Sequence, residues 1–134
     1  EPNWDVELEL DKNHISNLIK SQEALVSSLN VKEFKMYIST THNHLGDLTC
    51  EFFFGDEGGH NNHIKYNING DIKDGNIKLP FNSELFKTIL KENKDLEHSN
   101  IKISGDGLMK LEFSSFDNKI NTKYFLVRQS ETNF

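Results

Sequence analysis

Apolar and polar residues alternate along Val6-Glu7-Leu8-Glu9-Leu10, the two-residue period of a strand with one buried face. From Asp11 the period lengthens. Ile15, Leu18, Ile19, Gln22, Leu25 and Val26 fall on one side of a helix that Asp11 can cap. Three strand-like runs follow: Phe34, Met36 and Ile38; then Leu48, Cys50, Phe52 and Phe54 up to the turn Gly55-Asp56-Glu57-Gly58-Gly59; then Ile64, Tyr66 and Ile68. A polar stretch around Asn69-Gly70 and Asp74-Gly75 closes this half.

The pattern then starts again. Ile77, Leu79 and Phe81 alternate, Asn82 or Ser83 offers a cap, and Leu85, Phe86, Ile89 and Leu90 form a helical stripe. Strands are predicted at 101–104, 109–113 and 122–127, with turns at Gly105-Asp106-Gly107 and Asp117-Asn118. At an offset of 71 the two halves align without a gap: Leu8 falls on Leu79, Asp11 on Asn82, Leu18 on Ile89, Lys20 on Lys91 and Leu25 on Leu96. Matching cap and lysine, besides the apolar frame, indicates an internal duplication. The predicted fold is α+β, a duplicated β-α-β-β-β unit (5–70 and 75–128) in one domain, 1–128, with a flexible tail over 129–134. Short connections between strands imply antiparallel sheets, and two helices suffice to cover only one face, side by side.

Composition narrows the function. The 134 residues suit a single domain. No apolar run is long enough for a membrane helix, so no membrane association is expected. A lone cysteine, Cys50, excludes an internal disulfide and a cysteine-built zinc knuckle, and favours a reducing compartment such as the cytoplasm. The net charge of −6 argues against a protein that coats nucleic acid with a generally basic surface. Among the fifteen basic residues Arg128 is the only arginine. Any nucleic-acid contact is therefore diffuse attraction by lysine, without bidentate reading of bases.

The helices carry the most informative charges. Lys87, Lys91 and Lys94 share a face of the second helix opposite its apolar stripe. The outward face of the first carries Asn13, Ser16, Asn17, Lys20 and Ala24, with Glu23 at its edge. A solvated face whose lysines pair with Glu84 and Glu92 is the plain reading; a phosphate-facing surface of low specificity is the sharper one. His42-x-His44 and His60-x-x-His63 resemble ligand pairs, but they bracket a strand of roughly 30 Å at ~3.3 Å per residue and have no cysteine nearby, so surface histidines are expected. His14 and His98 have no partners in sequence. Cys50 alternates with Leu48 and Phe52 on a buried face and reads as core. Asp56-Glu57 reads as a solvated turn. No nucleophile elbow, phosphate-binding glycine loop or zinc-protease motif occurs, so neither an enzyme nor a cofactor is expected.

The order of elements, with lysines on the outward helix faces of an acidic chain, resembles one domain of a DNA sliding clamp, as in T-even-type phage clamps and, more distantly, proliferating cell nuclear antigen. Phe54-Gly55-Asp56-Glu57-Gly58 before the strand Asn62–Ile68 resembles the phage pattern of a Gly-Asp turn ahead of an interface strand. Leu79-Pro80-Phe81-Asn82-Ser83-Glu84-Leu85-Phe86-Lys87-Thr88-Ile89-Leu90 resembles the start of the second helix of clamp domains. Leu108-Met109-Lys110-Leu111-Glu112-Phe113 and Lys123-Tyr124-Phe125-Leu126-Val127 resemble the closing strands, and the short tail ending in Phe134 is similar to that of phage clamps. Clamp rings of these types contain six such domains, two per subunit. This chain holds one, and it resembles the C-terminal domain of a longer subunit.

The resemblance implies a polymerase processivity factor of a phage-infected bacterial host: a trimeric ring that encircles duplex DNA, reads no base, and is served by a clamp loader. Its DNA-facing residues would be Lys20, Lys87, Lys91, Lys94, Asn13 and Asn17. The subunit interface would be the edge strand bearing His63, Ile64, Lys65, Tyr66 and Ile68. A partner peptide would dock on Leu108, Phe125 and Val127, with Tyr124 and Leu126 on the opposite side of that strand; the alternative is that Phe125 and Val127 are core and Tyr124 faces solvent. Two rival functions remain on sequence: a phage-type structural or assembly protein with a duplicated β domain, and a small-ligand binder, which lacks a cluster of convergent polar groups.

Overall fold

A computed structural model describes residues 2–29, 34–55 and 62–130. The first half runs β1 (Val6–Leu10), α1 (Lys12–Ser27), β2 (Lys35–His42), β3 (Leu48–Gly55) and β4 (His63–Ile68), followed by a two-residue strand β5 (Asp71–Ile72). The second half runs β6 (Lys78–Phe81), α2 (Ser83–Asn93), β7 (His98–Ser104), β8 (Leu108–Ser114) and β9 (Asn121–Val127). The architecture is α+β, with two helices and two antiparallel sheets.

The sheets are not the two halves of the chain. One has the order β5-β1-β7-β8-β9 and the other β4-β3-β2-β6. Each half thus gives its first strand to the three later strands of the other half. Leu8 of β1 stands opposite Ile101 of β7, and Leu79 of β6 opposite Ile38 of β2. Alternation explains why both exchanges hold: Val6, Leu8 and Leu10 point inward from β1, and Leu79 and Phe81 from β6, into a shared core. Strand β5, absent from the sequence reading, forms because the chain passes very close to β1. A Cβ on Gly70 would collide with the Leu8 side chain and the Glu7 carbonyl.

Local chemistry sets the helix starts. The Asp11 carboxylate accepts from His14 N at 2.7 Å, and His14 Nδ1 accepts in return from Asp11 N at 3.3 Å, a reciprocal cap with histidine in the usual place of glutamate. At α2 the choice between Asn82 and Ser83 resolves to Asn82, whose Oδ1 accepts from Leu85 N at 3.0 Å. The buried stripes are Ile15, Leu18, Ile19, Gln22 and Leu25 on α1, and Ser83, Phe86, Ile89, Leu90 and Asn93 on α2. Two residues predicted for these stripes are 42% and 46% exposed, Val26 and Leu85. Val26 belongs to the last turn of α1, where the chain leaves the core. Leu85 is about 100° around α2 from Phe86 and so lies on the flank.

One continuous core joins both sheets and both helices. Phe52, Phe54, Phe81, Phe86 and Phe113 are fully buried in it, with the Phe52 and Phe86 rings stacked at 6.0 Å. The helices lie beside one another. Phe86 reaches β3, and a polar knot around buried Asn93 fixes the end of α2 to β9: Asn93 Nδ2 donates to Tyr124 Oη at 3.1 Å and to Ile89 O at 2.8 Å, while Thr122 Oγ1 donates to Asn93 Oδ1 at 2.9 Å. Gln129, which the sequence places in the free tail, donates its N–H to Pro80 O at 2.9 Å; residues 131–134 lie outside the described residues. No helix among the described residues is long and apolar enough to cross a membrane.

Because Asn93 satisfies three polar groups in a buried place, Asn93→Ala should destabilise the fold by about 1–3 kcal/mol in urea unfolding. A loss below the resolution of that measurement would mean that the knot is not needed to hold α2.

Candidate nucleic-acid interface

Helix packing leaves a groove of about 390 Å³ between α1 and α2. Ile15 and Ile19 line it, as do Lys12, Lys20, Lys91 and Lys94. Among the described residues Glu23 and Asp95 are its lining carboxylates, so four lysines face two acids on a chain whose net charge is −6. This inversion of the overall charge is the local electrostatic feature of the helix pair.

The predicted DNA-facing residues do not behave alike. Lys20, Lys91 and Lys94 are exposed and come together along the groove. Lys87 is drawn in, its side chain only 19% exposed, with Nζ 3.8 Å from Glu84 Oε1. Asn13 is exposed on the first turn of α1. Asn17 is exposed too, but its Nδ2 donates to Tyr66 Oη at 3.3 Å, which ties it to β4 and turns it away from the groove. Lys87 and Lys91 of α2 and Lys94 at its C-cap all lie near an acid of the neighbouring helix. All three act on Glu23 of the neighbouring helix, and Lys91 Nζ donates to Glu23 Oε2 at 2.8 Å. That hydrogen bond, with the charges of Lys91, Lys87 and Lys94, holds the Glu23 carboxyl below its ordinary pKa. The expected pairing of the stripe with Glu84 and Glu92 holds for Lys87 with Glu84 but not for Lys91, whose partner Glu23 comes from α1.

Strand β4 is the outer strand of the four-stranded sheet, with β3 as its neighbour on one side and an open edge on the other. His63 and Lys65 are exposed along it, Ile64 and Tyr66 are half-buried against the core, and Ile68 is fully buried. The side chain of Ile68 is therefore unavailable to a neighbour, which can meet only its main chain.

On β9 the alternation is resolved. Leu126 is buried and Tyr124 packs against the core, whereas Phe125 and Val127 are 57% and 72% exposed on the outer face. The alternative with Phe125 and Val127 in the core is incorrect, because Leu126 takes the inward register. Half-buried Leu108 stands opposite Val127 across the ladder, and Lys110 opposite Phe125. Lys110 is itself nearly buried, with its Nζ 3.1 Å from Glu112 Oε1 and 6.0 Å from the centre of the Trp4 ring. Leu108, Phe125 and Val127 thus share a flat apolar patch bordered by Lys110, which sequence alternation alone did not include.

Cys50 is buried, and burial, with the charge of Glu51, pushes its thiol up to about 12. His14 serves the α1 cap, His98 stacks on Phe116 at 6.3 Å, and His63 stacks on Phe53 at 5.1 Å. Among the described residues no three His, Cys, Asp or Glu side chains gather as metal ligands. The Asp56-Glu57 turn and His60 lie outside the described residues. No protein-family model matches the chain, and no curated protein matches it.

Proposed function

We propose that this chain is a DNA sliding-clamp domain, a non-enzymatic module that helps encircle duplex DNA and tethers a polymerase. The observation that carries the reading is the lysine-lined groove on the paired helices of an otherwise acidic chain. Lysines attract phosphate without reading bases, and attraction that is screened within about 10 Å lets a ring move along the duplex. The strand–helix–three-strand order occurs twice, and the caps Asp11 and Asn82 occupy equivalent places, which supports an internal duplication of the clamp type. In this reading six such domains form a trimeric ring, loaded by an ATPase, in the cytoplasm of a phage-infected bacterium. Strand β4 pairs with a neighbouring subunit through its open edge, a use that gives an otherwise hazardous edge a partner. Leu108, Phe125 and Val127 receive a short hydrophobic peptide from the polymerase.

Changing Lys20, Lys87, Lys91 and Lys94 together to Glu in the complete ring-forming subunit should abolish polymerase stimulation while leaving folding and assembly intact. Processive synthesis by that variant would reduce the lysines to a solvated face.

Adjacent amides of an extended strand point to opposite edges, so of Lys65→Pro and Tyr66→Pro one breaks a bond to β3 and the other blocks the open edge. The variant that keeps monomer stability should fail to assemble; if it sediments as the wild-type oligomer, β4 is not the interface.

Phe125→Ala should weaken binding of a polymerase C-terminal peptide at least tenfold, as loss of an interface anchor does. Unchanged peptide affinity, measured by calorimetry, would remove the patch as the docking site.

A further inference from the structure

Helix α1 contains one acidic residue, Glu23. It lies in the interhelical groove, whose lining sets four lysines, Lys12, Lys20, Lys91 and Lys94, against Glu23 and one other acid, Asp95. Its Oε2 takes a charge-assisted hydrogen bond from Lys91 Nζ at 2.8 Å, and the Glu23 and Lys91 side chains are 46% and 48% exposed. Half-exposed pairs of this kind add little to folding stability, so holding the helices together is a weak account of the pair. Its effect on the surface is larger. Lys91 is the lysine held most closely by an anion already present, and the carboxylate also lies within the fields of Lys87 and Lys94.

We infer that Glu23 is an internal competitor for phosphate, which attenuates the grip of the groove on duplex DNA by occupying Lys91. The inference rests on the duplex-facing reading of the groove and deepens it. For Lys91 to neutralise a phosphate, it must exchange the Glu23 carboxylate for a phosphate oxygen, and the displaced carboxylate then repels the same strand. The cost of that exchange keeps attraction weak where tight binding would stop sliding. The arrangement also stays constant through neutral pH, where a glutamate carboxyl is ionised even at its ordinary pKa and that of Glu23 lies lower still.

The test is equilibrium binding of this chain to a short fluorescent duplex across a salt series. Glu23→Gln keeps the shape and a hydrogen-bond acceptor for Lys91 but removes the charge. The variant should bind more tightly than wild type, and its log–log salt slope should be steeper by about 0.9, the effect of one further phosphate contact. Its advantage should therefore shrink about threefold between about 50 and 200 mM salt. Glu23→Gln combined with Lys91→Gln should return to the wild-type slope, and thermal unfolding of Glu23→Gln should match wild type. If the slope of Glu23→Gln is unchanged while the fourfold lysine variant loses binding, Glu23 is no competitor and the duplex-facing reading survives. If wild type, Glu23→Gln and the fourfold variant all bind alike or not at all, both ideas fall. A marked loss of thermal stability in Glu23→Gln would make the pair a structural tie and overturn the inference.

Discussion

A strand inside a sheet is held by two ladders and cannot leave without breaking both. β1 has that position between β5 and β7, and both of its ladders are made with strands far along the chain. α1 starts within two residues of the end of β1, and α2 within two residues of the end of β6. Each helix is therefore launched from a strand built into the other half's sheet. This brings the helices side by side over a shared core, and the groove, the mixed core and the open edge of β4 all follow from that geometry. The Asn93–Tyr124–Thr122 knot, centred on the buried amide of Asn93, then sets how α2 lies against β9.

Charge on the helix pair is arranged in opposition to the rest of the molecule. With fourteen lysines against many carboxylates, an even distribution would leave every face acidic. The groove escapes this because the outward flanks of α1 and α2 hold few acids, and the one acid of α1 is turned onto Lys91. Elsewhere lysines are paired close to home, as Lys102 is with Glu7 and Lys110 with Glu112. The basic character of the groove is thus a result of placement, since the composition taken whole is acidic.

Elements with a clear buried face were legible in the sequence. Most of the stripes of α1 and α2 and the eight strands other than β5 follow from periodicity, because each buries alternate or helically spaced apolar residues against a single core, and the Asp11 cap follows from its place before α1. Assignment of β1 and β6 to the opposite sheets was not legible, since local alternation fixes which face of a strand is buried but not which strand lies next to it. The site divides the same way. Helical spacing identified the lysines, put Glu23 at the edge of the outward face of α1 and allowed the Lys87–Glu84 pair, but the rotation of one helix about another depends on packing, so the pairing of Glu23 with Lys91 could not be read. On β9, alternation grouped Phe125 with Val127; only the inward register of Leu126 decides that this pair faces outward.

The strand exchange also governs how the chain comes to its structure and how it comes apart. Leu8 must find Ile101 before the first strand has a central place, so the ladder that organises the fold closes one of its longest loops. Folding of such a chain is slow relative to its size, because the ordering of that loop precedes the contacts that compensate it. Neither half possesses a complete sheet of its own, so neither can open while the other stays native. Two βαβββ segments joined end to end would be free to open one at a time, but threaded through one another they share both sheets, so the strand exchange makes opening of either half a cost to the other.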